Sequence, residues 1–272
     1  MKSKLLLLTA MVFGCFAASG QDWAKARLDK SPRHAEWVEV KNGSRTVRCF
    51  IVYPEVKNPA PAILVIHEIF GLTDWARGVA DQLAAAGYIA IAPDLLSGMG
   101  ANGGGTSAFA DRDAVMGAVS ALPPDQVTGD LNGTADYVKT LPSFNGKLAV
   151  AGFCWGGGQS FRFACNRGDL KAAYVFYGPP LEDTAQMEKI NCPVYGFYGG
   201  NDNRISSSVP KTEKQMKADG KTYEPVIYDG AGHGFMRDAE DPQPSTTPDI
   251  HAANMKAHDE SWERWKKLLL KL

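Results

Sequence analysis

A cysteine at position 154 lies in the pentapeptide Gly152-Phe153-Cys154-Trp155-Gly156, and an acid and a histidine follow it in the chain at Asp202 and His233. A thiolate attacks a carbonyl carbon far better than a thiol does. An imidazole within reach accepts the thiol proton, and a carboxylate behind it fixes the tautomer and stabilises the imidazolium. Together these three types can perform acyl transfer. Attack creates a tetrahedral oxyanion, which backbone N–H groups must receive. Trp155, directly after the cysteine, supplies one such group, and Ile69 in the loop His67-Glu68-Ile69-Phe70-Gly71 supplies the other. Water activated by His233 then releases the acyl group from sulfur.

These residues need elements to carry them. Leu148-Ala149-Val150-Ala151 is an apolar run that reads as a buried strand, and Gly157 to Asn166 reads as a helix. A strand turning sharply into a helix holds its nucleophile in a strained conformation, and glycines on either side allow the backbones to approach closely. Tyr195 to Asp202 reads as a strand ending in a Gly-rich turn with the acid, and Val226 to Phe235 as a strand followed by a loop with the histidine between glycines. Asp229 is the substitute candidate for the acid. Each candidate follows an apolar run, so all would lie at the carboxyl edge of a parallel sheet, where open α/β sheets place their sites.

The rest of the chain supports that frame. Trp37–Val40 and Thr46–Tyr53 read as strands around an Asn42-Gly43 turn, and Ala62–Ile66 and Tyr88–Ala92 as buried strands. Asp74 is placed to cap a helix through Ala86, and helices are expected over Ala108–Ala121, Asp125–Thr140 and Val209–Ala218. Strands follow over Ala172–Tyr177 and Thr222–Tyr228, and a last helix reaches about Leu270. Alternating strands and helices predict an α/β fold, a mostly parallel sheet with helices on both faces.

The chain has 272 residues, 44% of them hydrophobic and 22% charged, which suits one large domain. A formal charge of −1 gives no reason to expect nucleic acid or a membrane surface as partner. Lys2, Lys4, the apolar run Leu5–Ala18 and the small residues Ala18-Ser19-Gly20 form a secretory signal peptide pattern over residues 1–20, leaving 21–272 as a single domain. No membrane insertion is expected after cleavage, and the expected location is a bacterial periplasm. Val12-Phe13-Gly14-Cys15 resembles a lipoprotein cleavage box only faintly. Cys165 and Cys192 read as core thiols, and a disulfide between some pair of Cys49, Cys165 and Cys192 is left open. There is no C-x-x-C and no metal-ligand spacing; His251 and His258 share a helix face without a third ligand, so neither metal nor cofactor is expected. His67, beside the oxyanion loop, reads as structural more readily than as functional.

Three stretches, Glu68-Ile69-Phe70-Gly71, Gly152-Phe153-Cys154-Trp155-Gly156-Gly157, and Asp202 with Gly232-His233-Gly234-Phe235, resemble the dienelactone hydrolase family, α/β-hydrolases with a cysteine nucleophile. The resemblance covers roughly Glu36 to Leu270. It implies an α/β-hydrolase fold, a Cys154-His233-Asp202 triad and hydrolysis of an enol-lactone to a dicarboxylic acid, the carboxymethylenebutenolidase activity. It further implies that Glu68 contacts the resting thiol and helps generate the thiolate, and that Arg237 and Arg112 hold the substrate carboxylate, Arg112 by spacing alone. The substrate would be a small ester or lactone and the enzyme a monomer. Export departs from the cytosolic habit of the family, so the catalytic class transfers more safely than the substrate. A carboxylesterase or thioesterase with the same triad, and a non-catalytic binding protein on this scaffold, are the alternatives.

Overall fold

The computed structural model describes residues 21–181 and 183–272. The leader pattern of residues 1–20, with Cys15, lies outside the described residues. Eight strands form one sheet: β1 (Ala35–Asn42), β2 (Arg45–Val52), β3 (Ala60–Ile66), β4 (Ile89–Pro93), β5 (Phe144–Phe153), β6 (Leu170–Phe176), β7 (Val194–Gly199) and β8 (Tyr223–Tyr228). Their spatial order is β1-β2-β4-β3-β5-β6-β7-β8. The β1–β2 and β2–β4 pairs are antiparallel, and every pair from β4 through β3 to β8 is parallel.

The nine helices among the described residues are α1 (Asp22–Leu28), α2 (Asp74–Ala85), α3 (Arg112–Ser120), α4 (Pro124–Lys139), α5 (Trp155–Asn166), α6 (Asn203–Ser206), α7 (Val209–Ala218), α8 (Phe235–Asp238) and α9 (Pro248–Leu269). Period-2 alternation splits the apolar strand residues between two cores. In β3, Ala62, Leu64 and Ile66 face the core shared with α3, α4, α5 and α7. Ile63 and Val65 face the core shared with α1, α2 and α9. Strand β5 divides in the same way, Leu148 and Val150 against Ala149, Ala151 and Phe153. Both faces of the central strands are covered, which is why their sequences are unbroken apolar runs.

Three local expectations shift. Thr73, not Asp74, caps α2: its side chain accepts from the Ala76 N–H, a bond of the kind that contributes about 1 kcal/mol. Helix α3 begins at Arg112 rather than Ala108, because Asp111 caps it by accepting from Ala114 N–H and the preceding residues form short 3₁₀ turns. Helix α5 begins at Trp155, two residues earlier than the apolar pattern indicates.

The order in which strands are added reverses between β3 and β5: after β3 the sheet grows toward β4, and from β5 onward it grows the other way. The crevice at such a switch point, beyond the carboxyl ends of the strands, is the natural ligand site of an open α/β sheet. The His67–Gly71 loop leaves β3 on one side of it, and Cys154 leaves β5 on the other.

Candidate active site

Cys154 is the residue between β5 and α5, with φ 55° and ψ −118°. Positive φ at a non-glycine residue costs energy and persists only where the surroundings impose it. Its N–H donates to Phe176 O at 3.0 Å, tying the turn to β6. Two glycines make the turn possible. A Cβ on Gly152 would sit 2.0 Å from Gly156 O, and one on Gly156 would sit 2.3 Å from His67 O. Any side chain there would push the Cys154 turn away from its neighbours.

The acid turn and the histidine loop are laced together by backbone bonds, Gly200 N–H to Tyr228 O at 2.7 Å and Asn201 N–H to Ala231 O at 2.8 Å. His233 therefore arrives between the other two groups. Its Nε2 is 3.0 Å from Cys154 Sγ, and its Nδ1 is 2.5 Å from Asp202 Oδ2. Asp202, not the exposed Asp229, meets the ring. The Asp202 side chain is 5% exposed and that of His233 30%. Burial opposes a charge on the imidazole, but the hydrogen bonds to Asp202 and Cys154 and their negative charges outweigh it and push its pKa up to about 9. The edge of the His233 ring also packs on Tyr177, centroids 5.2 Å apart. Tyr177 is itself fully buried, with φ 39° and a hydroxyl that has no partner among the described residues.

Trp155 occupies the first position of α5, where a backbone N–H has no intrahelical acceptor. Among the described residues, Ile69 N–H also has no hydrogen-bond acceptor. Both groups expected to receive an oxyanion are thus without acceptors in the segments that flank Cys154.

Glu68 departs from its expected place. Its carboxylate accepts from Arg237 Nε at 2.8 Å, and no hydrogen bond joins it to the Cys154 thiol. The reason is charge: a carboxylate 3% exposed gains far more from a guanidinium than from a sulfur that carries no positive charge. The negative charge of Glu68 is the largest influence raising the Arg237 pKa, so that arginine stays charged. Arg237, expected from the resemblance to hold a substrate carboxylate, is already paired here with Glu68. Arg112 is exposed, yet its guanidinium carbon lies 3.9 Å from the centroid of Phe70, and that of Arg237 lies 5.2 Å from the same ring. The structure thus brings the two arginines to one aromatic platform within the Glu68–Gly71 segment.

One residue that the sequence reading passes over holds the histidine loop. Asn254, fully buried in α9, accepts from Gly232 N–H at 2.8 Å and donates to Asp238 Oδ2 at 2.7 Å. A single amide therefore grips both ends of the segment that carries His233 and Arg237. Asp238 also accepts from Thr246, at 2.9 Å, and His251, at 3.0 Å. His258 binds Glu240 at 3.3 Å, so the two helix histidines serve separate carboxylates. In the sequence Asn254 is marked only as a polar residue on the stripe that α9 buries, a mark it shares with Ser261. Among the described residues no group of three or more His, Cys, Asp or Glu side chains is arranged to hold a metal ion.

Residues 47–272 match the profile of the dienelactone hydrolase family. A protein of Escherichia coli (strain K12) that carries the provisional name carboxymethylenebutenolidase is 33% identical over 221 residues, spanning 76% of this chain and 75% of that one. The carboxymethylenebutenolidase of Pseudomonas putida is 29% identical over 196 residues, 69% of this chain and 80% of its own. A crystal structure from Klebsiella pneumoniae, provisionally named a dienelactone hydrolase, superposes with a TM-score of 0.75 at 26% identity, covering 88% of this chain and 99% of that chain. Fold, sequence profile and relatives agree: the chain belongs to the dienelactone hydrolase family of α/β-hydrolases.

Proposed function

We propose that this hydrolase cleaves small esters or lactones bearing a carboxylate, through an acyl-thioester on Cys154, and that it acts after export from the cytoplasm. The observation that carries the chemistry is the His233 ring set between Cys154 Sγ at 3.0 Å and Asp202 at 2.5 Å. Cys154 attacks the carbonyl carbon, and the N–H groups of Ile69 and Trp155 receive the oxyanion. Collapse transfers the proton on His233 to the leaving oxygen and forms the thioester. Once sulfur is acylated its negative charge is gone, and with it two of the influences that raise the His233 pKa. The imidazole then becomes a better neutral base, which is what activation of the hydrolytic water requires.

The preference for a carboxylate rests on the two guanidiniums around Phe70. Arg112 has no carboxylate partner among the described residues, so an anion can take it without displacing another. An anion drawn to Arg237 competes with Glu68 for it, and a released Glu68 gains the freedom to approach the thiol. Export rests on the leader pattern of residues 1–20.

The test is a panel of neutral esters, carboxylate-bearing esters, lactones and thioesters offered to the protein lacking residues 1–20, in reductant. The expected result is highest kcat/KM on carboxylate-bearing esters or lactones, with a drop of about 10⁴-fold or more in Cys154→Ala while thermal melting stays cooperative. Full activity in Cys154→Ala ends the mechanism. A preference for neutral thioesters ends the substrate class.

A further inference from the structure

His67 has a place in the structure that the scheme above does not use. It is fully buried, and its ring lies nearly parallel to that of Trp155, 15° between planes and 5.6 Å between centroids. Its Nδ1 is 2.7 Å from the carbonyl oxygen of Glu68. A carbonyl only accepts, so Nδ1 carries the proton and donates. Its Nε2 is buried with no partner among the described residues. Burial lowers the His67 pKa against the opposing pull of the Glu68 carbonyl and of Asp94 and Glu68, which keeps the ring neutral with one proton. An unpaired buried nitrogen destabilises the fold, because its hydration is lost without a replacement bond. An aromatic hydrocarbon here would stack equally well without that cost, so the imidazole is explained by its single donated bond.

That bond falls on an informative peptide. The carbonyl of Glu68 and the N–H of Ile69 belong to the same planar unit, and no peptide among the described residues is cis. The carbonyl is held on one side by two donors, His67 Nδ1 at 2.7 Å and Gly71 N–H at 3.1 Å. The Ile69 N–H must then point the opposite way. Donors to a peptide oxygen also polarise the unit and strengthen its N–H, by roughly 10–30% per bond. The same imidazole lies against Trp155, whose backbone supplies the other expected donor.

Resting on the acyl-transfer reading above, we propose that His67 is a positioning residue of the oxyanion hole: it orients and polarises the Glu68–Ile69 peptide through Nδ1 and braces Trp155 through its ring face. It touches neither substrate nor nucleophile.

Two reactions of the same sulfur separate this role from a structural one. Acylation by p-nitrophenyl acetate passes through an oxyanion. Alkylation by iodoacetamide does not: the bond from Cys154 sulfur to carbon forms, the carbon–iodine bond breaks, iodide leaves and the thiol proton goes to His233. His67→Phe keeps a flat ring without a donor; His67→Asn keeps a donor near the position of Nδ1. In His67→Phe the acylation rate is expected to fall about 10²-fold at little change in KM, while Cys154 alkylation stays within about twofold of wild type. His67→Asn is expected to recover about tenfold of that loss. Equal losses in both reactions place the effect on the triad or the fold and overturn the proposal. Equal acylation losses in His67→Phe and His67→Asn assign it to ring shape and overturn it too. A wild-type protein whose Cys154 alkylates but is never acylated removes the acyl-transfer reading, and this proposal with it.

Discussion

Cys154 and the three other cysteines of the described chain share one side chain and occupy opposite environments. Cys49, Cys165 and Cys192 are buried, and each is a free thiol. Burial is the main influence pushing their pKa values up, to about 12 for Cys49 and Cys165 and about 11 for Cys192. Their nearest polar groups cannot take a proton at neutral pH: Thr134 Oγ1 at 3.7 Å from Cys49, and Phe161 O at 3.4 Å from Cys165. Cys154 is half-buried at the end of a strand, in a strained turn at a helix N-terminus, 3.0 Å from an imidazole that favours the protonated state. A thiol inside a sheet or helix acts as a small apolar residue. The same thiol in a strand-to-helix turn, facing a base, is placed for the nucleophilic role proposed for it.

Iodoacetamide tests that contrast most severely. Native protein at pH 7 is expected to label at Cys154 at least about 100-fold faster than at Cys49, Cys165 or Cys192, as read by peptide mass mapping, with the other three labelling fully in denaturant. Comparable native labelling of Cys165 would erase the distinction. Replacing the base comes next. His233→Gln is expected to slow Cys154 labelling about tenfold or more at pH 7. It also changes the pH dependence of stability. The folded His233 pKa lies near 9, above the usual 6.5, so its contribution is full below about pH 6.5 and is lost as pH rises through 9. The melting-temperature difference between wild type and His233→Gln should therefore shrink between pH 6.5 and 9.5; a gap that widens would mean the ring is stabilised in its neutral form. The smallest effect belongs to the core thiols. Cys165→Ala should cost about 1–2 kcal/mol of stability in a denaturant titration and leave kcat/KM near wild type.

The residues that meet around His233 were legible in the sequence where a residue's position depends on its immediate neighbours. Cys154 between glycines, Asp202 after a Gly-rich turn and His233 between Gly232 and Gly234 each sit at the end of an apolar run. Such runs identify buried parallel strands because both faces of the sheet are covered. Strand ends of a parallel sheet share one edge, so the order nucleophile, acid, base carries spatial content. Helix starts were less legible: Thr73 and Asp111 win the caps through single hydrogen bonds that neighbouring polar residues could have made equally well.

Pairings across the chain were decided only by the tertiary structure. Glu68 and Arg237 are 169 positions apart, and each had a separate role on paper; in the fold they neutralise one another because a buried carboxylate requires a cation. Asn254 grips the histidine loop from a helix whose pattern speaks only of packing. His67 donates to a peptide whose direction no local pattern reports. Local sequence determined which groups stand at the carboxyl edge, since strand ends follow from apolar periodicity. Which of those groups meet depends on packing angles and charge compensation, and these exist only once the sheet is assembled.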